Sequence, residues 1–337
     1  MELKMSDIAK MAGVSKAAVS FALNGKPGVS DETRKKIFKV IKDQGYEPLR
    51  KHKKGGVRKI ASISLIIIQD RTGMMNRSYA SLPFFDTLVS ELSQHVSGAG
   101  GQMQIVNLDI NHLHEGLNNK ALQQSKASVV LATDLNQKQI QLINQKLRNV
   151  IFVDNYFDDI QADFVSIDNF QGAYQAGRYI VKKGYRKIGY VASNHAISNF
   201  IQRRSGFRKA MKEANIQVPA EYVFSLNPTE LIGSLPPLFR QKNNWPEAIF
   251  CEDDYMALRL LKELTRQGIK IPKDIAVMGF DDIFEDTMVT PELTTMHVPI
   301  TQIVIQAINQ LQSKVADRYW LPQKCFISTK LVERESL

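Results

Sequence analysis

The first 45 residues hold their apolar side chains in short bursts at helical spacing, each closed by a polar cap or a glycine. Such a stretch folds as a set of short helices and as little else. Ser6 is placed to cap a first helix running to Met11, with Asp7 near its positive end and Ala12-Gly13 as the break. Ser15 restarts the chain. Residues 16–23 then form a second helix with Ala18, Val19, Ala22 and Leu23 inward, ended by Asn24-Gly25. Ser30 caps a third, whose Ile37, Val40 and Ile41 make one apolar stripe, and Gly45 stops it. Large apolar side chains are few here, so the core is marginal. Two helices across a tight turn, the second presenting Lys16, Ala17, Ser20 and Phe21 outward, have the geometry of a helix-turn-helix.

Charge is segregated onto the same end. Residues 1–59 carry 15 Lys and Arg against 6 Asp and Glu, while the rest of the chain carries 29 against 28. An imbalance confined to one terminus points to a polyanionic partner, and double-stranded DNA fits the helix pattern. A helix of this width enters the major groove with its N-terminal residues at base edges. Lys16 is suited to guanine acceptors, Ser20 to bases or phosphate, and Ala17 or Phe21 to thymine methyls. Ser15, Asn24 and Ser30 complete the candidate contact set on the head. The competing role for Phe21 is a core side chain.

The run from Asp7 to Ser20 (Asp-Ile-Ala-Lys-Met-Ala-Gly-Val-Ser-Lys-Ala-Ala-Val-Ser), followed by Leu23-Asn24-Gly25, Val29-Ser30 and Thr33-Arg34, resembles the signature of the LacI/GalR family of bacterial repressors. It departs at Phe21, where most relatives carry an arginine that contacts the operator. In the family a hinge helix follows, whose leucine wedges into the minor groove. Here Gly55 stands at the wedge position of the segment Tyr46-Glu47-Pro48-Leu49-Arg50-Lys51-His52-Lys53-Lys54-Gly55-Gly56, and a glycine has no side chain to insert. Two arrangements stay open. Leu49 substitutes from another turn, or a flexible basic strap grips phosphates through Arg50, Lys51, Lys53 and Lys54 while Gly55-Gly56 swivels.

Beyond the linker, β-branched runs at 60–68, 129–131, 150–153, 188–191, 248–251 and 275–278 alternate with helical segments such as 84–99, 171–182 and 255–267. That alternation predicts an α/β body with buried parallel strands, doubly wound. The resemblance implies an all-α three-helix helix-turn-helix head at 1–48, a basic hinge or linker at 49–59, and an α/β periplasmic-binding-protein-like body of two doubly wound lobes at 60–337. The first lobe is expected at about 60–162 and 289–317, the second at about 163–288 and 318–337.

In such folds ligands lie at the carboxyl ends of strands, between the lobes. Asp70, Asp154, Asp168, Asp253 and Asp281 all follow strand-like runs, and carboxylates accept hydrogen bonds from sugar hydroxyls. The competing role at each is a helix cap. Arg203-Arg204-Ser205-Gly206-Phe207 matches the family's Arg-x-x-Gly-Phe, which implies that Arg203 meets the effector. Asp168-Asn169 and Gly279-Phe280-Asp281-Asp282 match two further family motifs, implying effector contacts at Asp168 and Asp281. Asp253 replaces the family's usual asparagine, turning an amide able to donate into an acceptor and favouring a donor-rich ligand. The class implied is a sugar or sugar derivative first, a nucleobase or nucleoside second. The segment 69–82 is longer than in relatives and is expected to form an altered lid.

The longest apolar stretch falls far short of the roughly 18–20 residues that span a bilayer, and no export leader is visible, so a cytoplasmic protein with no membrane contact is expected. Cys251 and Cys325 lack CxxC partners and His112 and His114 lack further ligands, so neither a disulfide framework, a metal site nor a cofactor is expected. Phosphate loop, dinucleotide fingerprint and nucleophile elbow are all missing, which argues against an enzyme. One head reads one half-site, so a homodimer is implied, and the stripe Phe84, Leu88, Val89, Leu92 and Val96 is its expected contact. No heptad after 326 predicts a tetramer-forming coil.

Overall fold

The computed structural model describes residues 5–23, 28–44, 62–76, 78–229 and 245–337. The chain divides into two units, Met1–Val57 and Arg58–Leu337. Asn24 and the linker residues Arg50, Lys51, Lys53, Lys54 and Gly55 lie outside the described residues.

In the first unit, α1 (Met5–Ala12), α2 (Lys16–Leu23) and α3 (Asp31–Asp43) close around Ile8, Ala9, Ala12, Val19, Ala22 and Ile37. Helix α1 begins ahead of Ser6, because Met5 already packs on this core, and Ser6 is therefore not its cap. Gly13, at φ +63, makes the turn that a side chain would strain. The Ser15 and Ser30 hydroxyls accept the backbone N–H of Ala18 (3.1 Å) and Thr33 (3.3 Å), capping α2 and α3. Arg34 donates to the carbonyl of Ala22 (3.3 Å), tying α3 to the last turn of α2. Phe21 is 38 % exposed and leans on Gly28, which rules out the core role for it.

The body opens with β1 (Ser62–Gln69), α4 (Pro83–Gly98), β2 (Gln102–Asp109), the short α5 (Leu113–Gly116) and α6 (Lys120–Gln124), β3 (Ser128–Leu131), α7 (Gln137–Lys146), β4 (Val150–Val153) and β5 (Phe164–Ile167). It continues through α8 (Asn169–Lys182), β6 (Ile188–Ser193), α9 (Ser198–Glu213), β7 (Val223–Leu226), β8 (Ala248–Cys251), α10 (Asp254–Arg266) and β9 (Ala276–Met278). It ends with β10 (Thr295–His297), α11 (Ile300–Ala316), β11 (Lys324–Ile327) and β12 (Lys330–Val332). Two parallel sheets result, ordered β11-β5-β4-β3-β1-β2 and β7-β6-β8-β9, with β10 and β12 paired antiparallel.

Strand pairing shifts the lobe boundaries drawn at 163 and 318. Strand β11 pairs with β5, and β5 with β4, so both belong to the first lobe's sheet. A parallel strand gains its backbone partners from its neighbours in the sheet, and those neighbours lie in the first lobe. The junction is fastened by Asp163, a fully buried carboxylate. It accepts hydrogen bonds from Gln310 (2.9 Å), Lys314 (2.8 Å), the Trp320 indole (2.9 Å) and the Gln323 amide (3.0 Å). Helix α11 and β11 are thus clamped to the β4–β5 connection.

The apolar stripe of α4 has a different role from the one expected of it. Of that stripe Phe84, Leu88, Leu92 and Val96 are buried in the main body core with Ile303, Ala307 and Leu311 of α11, and are unavailable to a second subunit, while Val89 is half-buried against the same core. Cys251 is buried and Cys325 half-buried, both as free thiols. No helix among the described residues is long and apolar enough to cross a membrane.

Helices α8 and α9 pack so closely that glycine is obligatory between them. A Cβ at Gly206 would lie 2.0 Å from the carbonyl oxygen of Phe170, and one at Gly177 would lie 2.8 Å from the Ala210 Cβ. Backbone cannot yield as a flexible side chain can. Gly206→Ala is therefore expected to lower the stability of the body by about 2–4 kcal/mol, a strain effect larger than most surface substitutions produce. Urea unfolding followed by tryptophan fluorescence checks this, and an unchanged midpoint would contradict the packing.

Candidate ligand-binding cleft

Between the lobes, Met74, Phe84, Thr133 and Asp154 from the first face Asn199, Phe200, Arg203, Asp253, Tyr255 and Asp281 from the second. Arg203 is the centre of this group. Helix α9 carries it inward one turn after Asn199 and Phe200, and its three nitrogens are all engaged: Nε donates to Asn169 Oδ1 (2.8 Å), Nη1 donates to the Glu252 carbonyl (2.7 Å) and Nη2 forms an ion pair with Asp281 Oδ1 (3.0 Å). Its guanidinium carbon sits 3.8 Å over the Phe280 ring, so the plane is held flat by a cation–π contact as well. Asp281 has φ +134, a conformation few non-glycine residues adopt, maintained by backbone bonds to Met296 and Val298.

Two further carboxylates converge on the same space. Asp154 follows β4 and accepts the Thr133 hydroxyl (2.7 Å) and the Asn199 amide (2.9 Å), which reaches it from the other lobe. Asp253 caps α10 with Oδ1, taking the Met256 N–H at 2.7 Å. Its Oδ2 is buried and has no hydrogen-bond partner among the described residues. Burial pushes Asp154 up to about 6 and Asp253 up to about 7, in both cases against the pull of Arg203. Burial also raises Asp281 well above the carboxylate range, opposed by Arg203 and helped by Asp254, Asp253 and Asp154. Three carboxyl groups face one cation that is already engaged, so the cleft offers polar partners to hydroxyls and no free positive charge to an anion. The space enclosed is about 30 Å³. That admits a water or two, and a sugar enters only when the lobes part.

Of the six positions expected to bind an effector, Asp154, Arg203, Asp253 and Asp281 line this space. Asp70 and Asp168 do not. Asp70 turns back on its own chain, accepting the N–H (3.0 Å) and hydroxyl (3.1 Å) of Thr72, and Asp168 caps α8 through the Gln171 N–H (2.8 Å). At that motif it is Asn169 that reaches the centre, through Arg203 and through Asn199 (3.1 Å). The segment 69–82 is organised by Asp134, whose carboxylate accepts the amides of Met74 (3.1 Å) and Met75 (2.7 Å) and so places Met74 in the cleft. Thr133, Asn199 and Tyr255 escaped sequence reasoning. Helical spacing from Arg203 would have found Asn199.

On the head, Lys16, Ala17 and Phe21 are exposed along α2 and Ser20 is half-buried beside them. Ser15 and Ser30 spend their hydroxyls on the caps of α2 and α3.

Residues 4–48 match the model for bacterial regulatory proteins of the lacI family, and residues 178–337 match the periplasmic binding protein-like domain. The HTH-type transcriptional repressor PurR of Mannheimia succiniciproducens is 26% identical over 338 residues, covering 99% of this chain and 98% of the relative. Among solved structures, the transcriptional regulator CelR in complex with cellobiose superposes with a TM-score of 0.70 at 21% identity, covering 99% of both chains. The lac repressor dimer bound to operator and the anti-inducer ONPF superposes at 0.67 with 18% identity, covering 100% of this chain and 99% of the other. At these identities the superpositions speak to the fold.

An aspartate in an unfolded chain titrates near 3.9. With Asp154 held at about 6 and Asp253 at about 7, the folded protein binds more protons than the unfolded one between about pH 4 and 7. Stability contributed by these groups is therefore greatest below that window and falls as pH rises through it. Asp253→Asn keeps an acceptor for the Met256 amide and removes the charge. It is expected to raise stability by about 2–3 kcal/mol more near pH 8 than near pH 5. Melting temperatures at the two pH values decide the matter, and an equal gain at both would contradict the buried charge.

Proposed function

The chain belongs to the LacI/GalR family of bacterial transcriptional regulators, and from that premise we propose that it is a repressor whose hold on operator DNA is set by a neutral sugar or sugar derivative bound between the lobes. The observation that carries the ligand class is Asp253: a buried carboxylate oxygen without a partner, beside Asp154 and Asp281, offers acceptors to a molecule rich in hydroxyls. The CelR neighbour was solved with cellobiose, a ligand of the same chemistry.

The coupling follows from where the two lobes touch. A ligand displaces the Asn199–Asp154 contact and the close approach of Tyr255 to Phe84, and so prefers one degree of closure over another. In a homodimer, closure changes the spacing of two heads and with it operator affinity, typically by about 1–3 kcal/mol. The head inserts α2 into the major groove, with Lys16, Ala17, Ser20 and Phe21 toward base edges and the basic linker on phosphates.

Titrating a panel of sugars and nucleosides against melting temperature tests the ligand class, since a specific ligand raises the melting point. A response to nucleosides alone overturns the sugar reading. Asp253→Ala is expected to weaken the responding sugar at least ~10-fold, about 1.4 kcal/mol, while operator binding persists. Arg203→Ala is expected to abolish the response, but it also strips a buried carboxylate of its partner at a cost of about 3–5 kcal/mol, so Asp253→Ala is the cleaner variant.

Lys16→Ala and Ser20→Ala are expected to weaken operator binding, each by ~10-fold, with the body's melting transition unchanged. A mobility shift on fragments selected from the source genome measures this. Undiminished affinity in both variants would remove α2 from the groove.

A further inference from the structure

A second cavity, of about 370 Å³, opens on the second lobe between α9, β6 and the edge strand β7. Its existence follows from the sheet. Alternate residues of β7 point to opposite faces: Phe224 and Leu226 enter the core on one side, while Val223 and Ser225 are exposed on the other. Helix α9 covers β6 on that face, and beside it an apolar trough remains, floored by Tyr190, Phe207 and Met211 and walled by Ile216, Val218 and Val223.

The rim is cationic. Arg204, Arg208 and Lys212 follow one another at four-residue spacing on α9, a row roughly 12 Å long. Arg204 is engaged by the buried Glu252 (2.8 Å). Arg208 and Lys212 are exposed, and the ion pairs formed among the described residues do not include them. The nearest acidic residue on the helix, Glu213, is held by Lys209 (2.7 Å) and Tyr174 (2.6 Å). Among the described residues, no carboxylate lines the trough. Its electrostatics are the reverse of the interlobe cleft, where three carboxylates gather.

We infer that this trough is a second ligand site, taking a small amphipathic anion: a ring or branched apolar body on the Tyr190–Phe207–Met211 floor, with a carboxylate or phosphate head between Arg208 and Lys212. A volume of this size suits a small organic molecule, and an apolar body with one well-placed charge is the usual recognition pattern. The site is also linked to the interlobe cleft through Glu252. Glu252 holds Arg204 with its side chain and accepts Arg203 Nη1 with its backbone carbonyl, so an anion that draws Arg204 outward acts on the residue that positions Arg203. The inference does not rest on the sugar reading of the cleft.

Isothermal titration of the full-length protein with 2-naphthoate and with phenyl phosphate gives the two head-group arms, and 2-naphthamide serves as the neutral counterpart of the first. At least one anion is expected to bind once per chain, with the amide ~10-fold weaker than the naphthoate if the carboxylate is the head bound. The double variant Arg208→Glu/Lys212→Glu, both at exposed positions, is expected to lose the anion ~10-fold or more at an unchanged melting temperature. Binding of neither anion, or retention of the anion in the double variant, would each overturn the assignment.

Discussion

A guanidinium taken out of water must find a counter-charge and acceptors for its hydrogens, and the second lobe is arranged around that requirement at Arg203. Its donors are distributed over the start of α8 at Asn169, the end of β8 at Glu252 and the loop after β9 at Asp281, while Phe280 supports its plane. Four segments far apart in sequence are thereby held at one point. The strained backbone of Asp281 is understandable in this light, since its carboxylate has to sit where the guanidinium is. The same need brings acidic residues together until burial makes their ionisation costly, which leaves Asp253 with an oxygen that no described residue satisfies.

The first lobe is held by a carboxylate used in the opposite way. Asp163 is as deeply buried as any group in the cleft, yet it is surrounded by donors from Gln310, Lys314, Trp320 and Gln323. It joins parts of the chain about 150 residues apart, and allows the polypeptide to leave the first lobe after β5 and return to it as α11 and β11 without loosening either sheet. One carboxylate is fully satisfied and structural. The other is open on one side and available.

Central strands were legible in the sequence because they are covered on both faces and read as unbroken apolar runs: β3, β4 and β8 stand at, or within a residue of, their expected positions. The edge strands β2 and β7 were not, since exposed polar residues, Gln102, Asn107 and Asp109 in β2 and Ser225 in β7, hide them among loops. Among the acidic residues, strand ends alone could not separate a cap from a ligand group. Asp70 and Asp168 are consumed by their own backbone, whereas Asp154 and Asp281 adopt positive φ and turn into the cleft, a difference of dihedral angle that composition does not encode. Long-range neighbours such as Thr133 and Tyr255 depend on how two lobes meet, and only the assembled fold supplies that. The α4 stripe shows the converse limit: periodicity identifies a buried face without saying what buries it.

The hydroxyl of Tyr255, on α10 of the second lobe, accepts the backbone N–H of Phe84 at 2.9 Å in the first turn of α4 in the first lobe. Amides in the first turn of a helix have no acceptor within it, so this end of α4 borrows its cap from across the cleft. Separation of the lobes hands that amide back to water and loosens the opening turn, and a ligand that wedges the lobes apart is thereby registered as fraying at a helix terminus it need never touch.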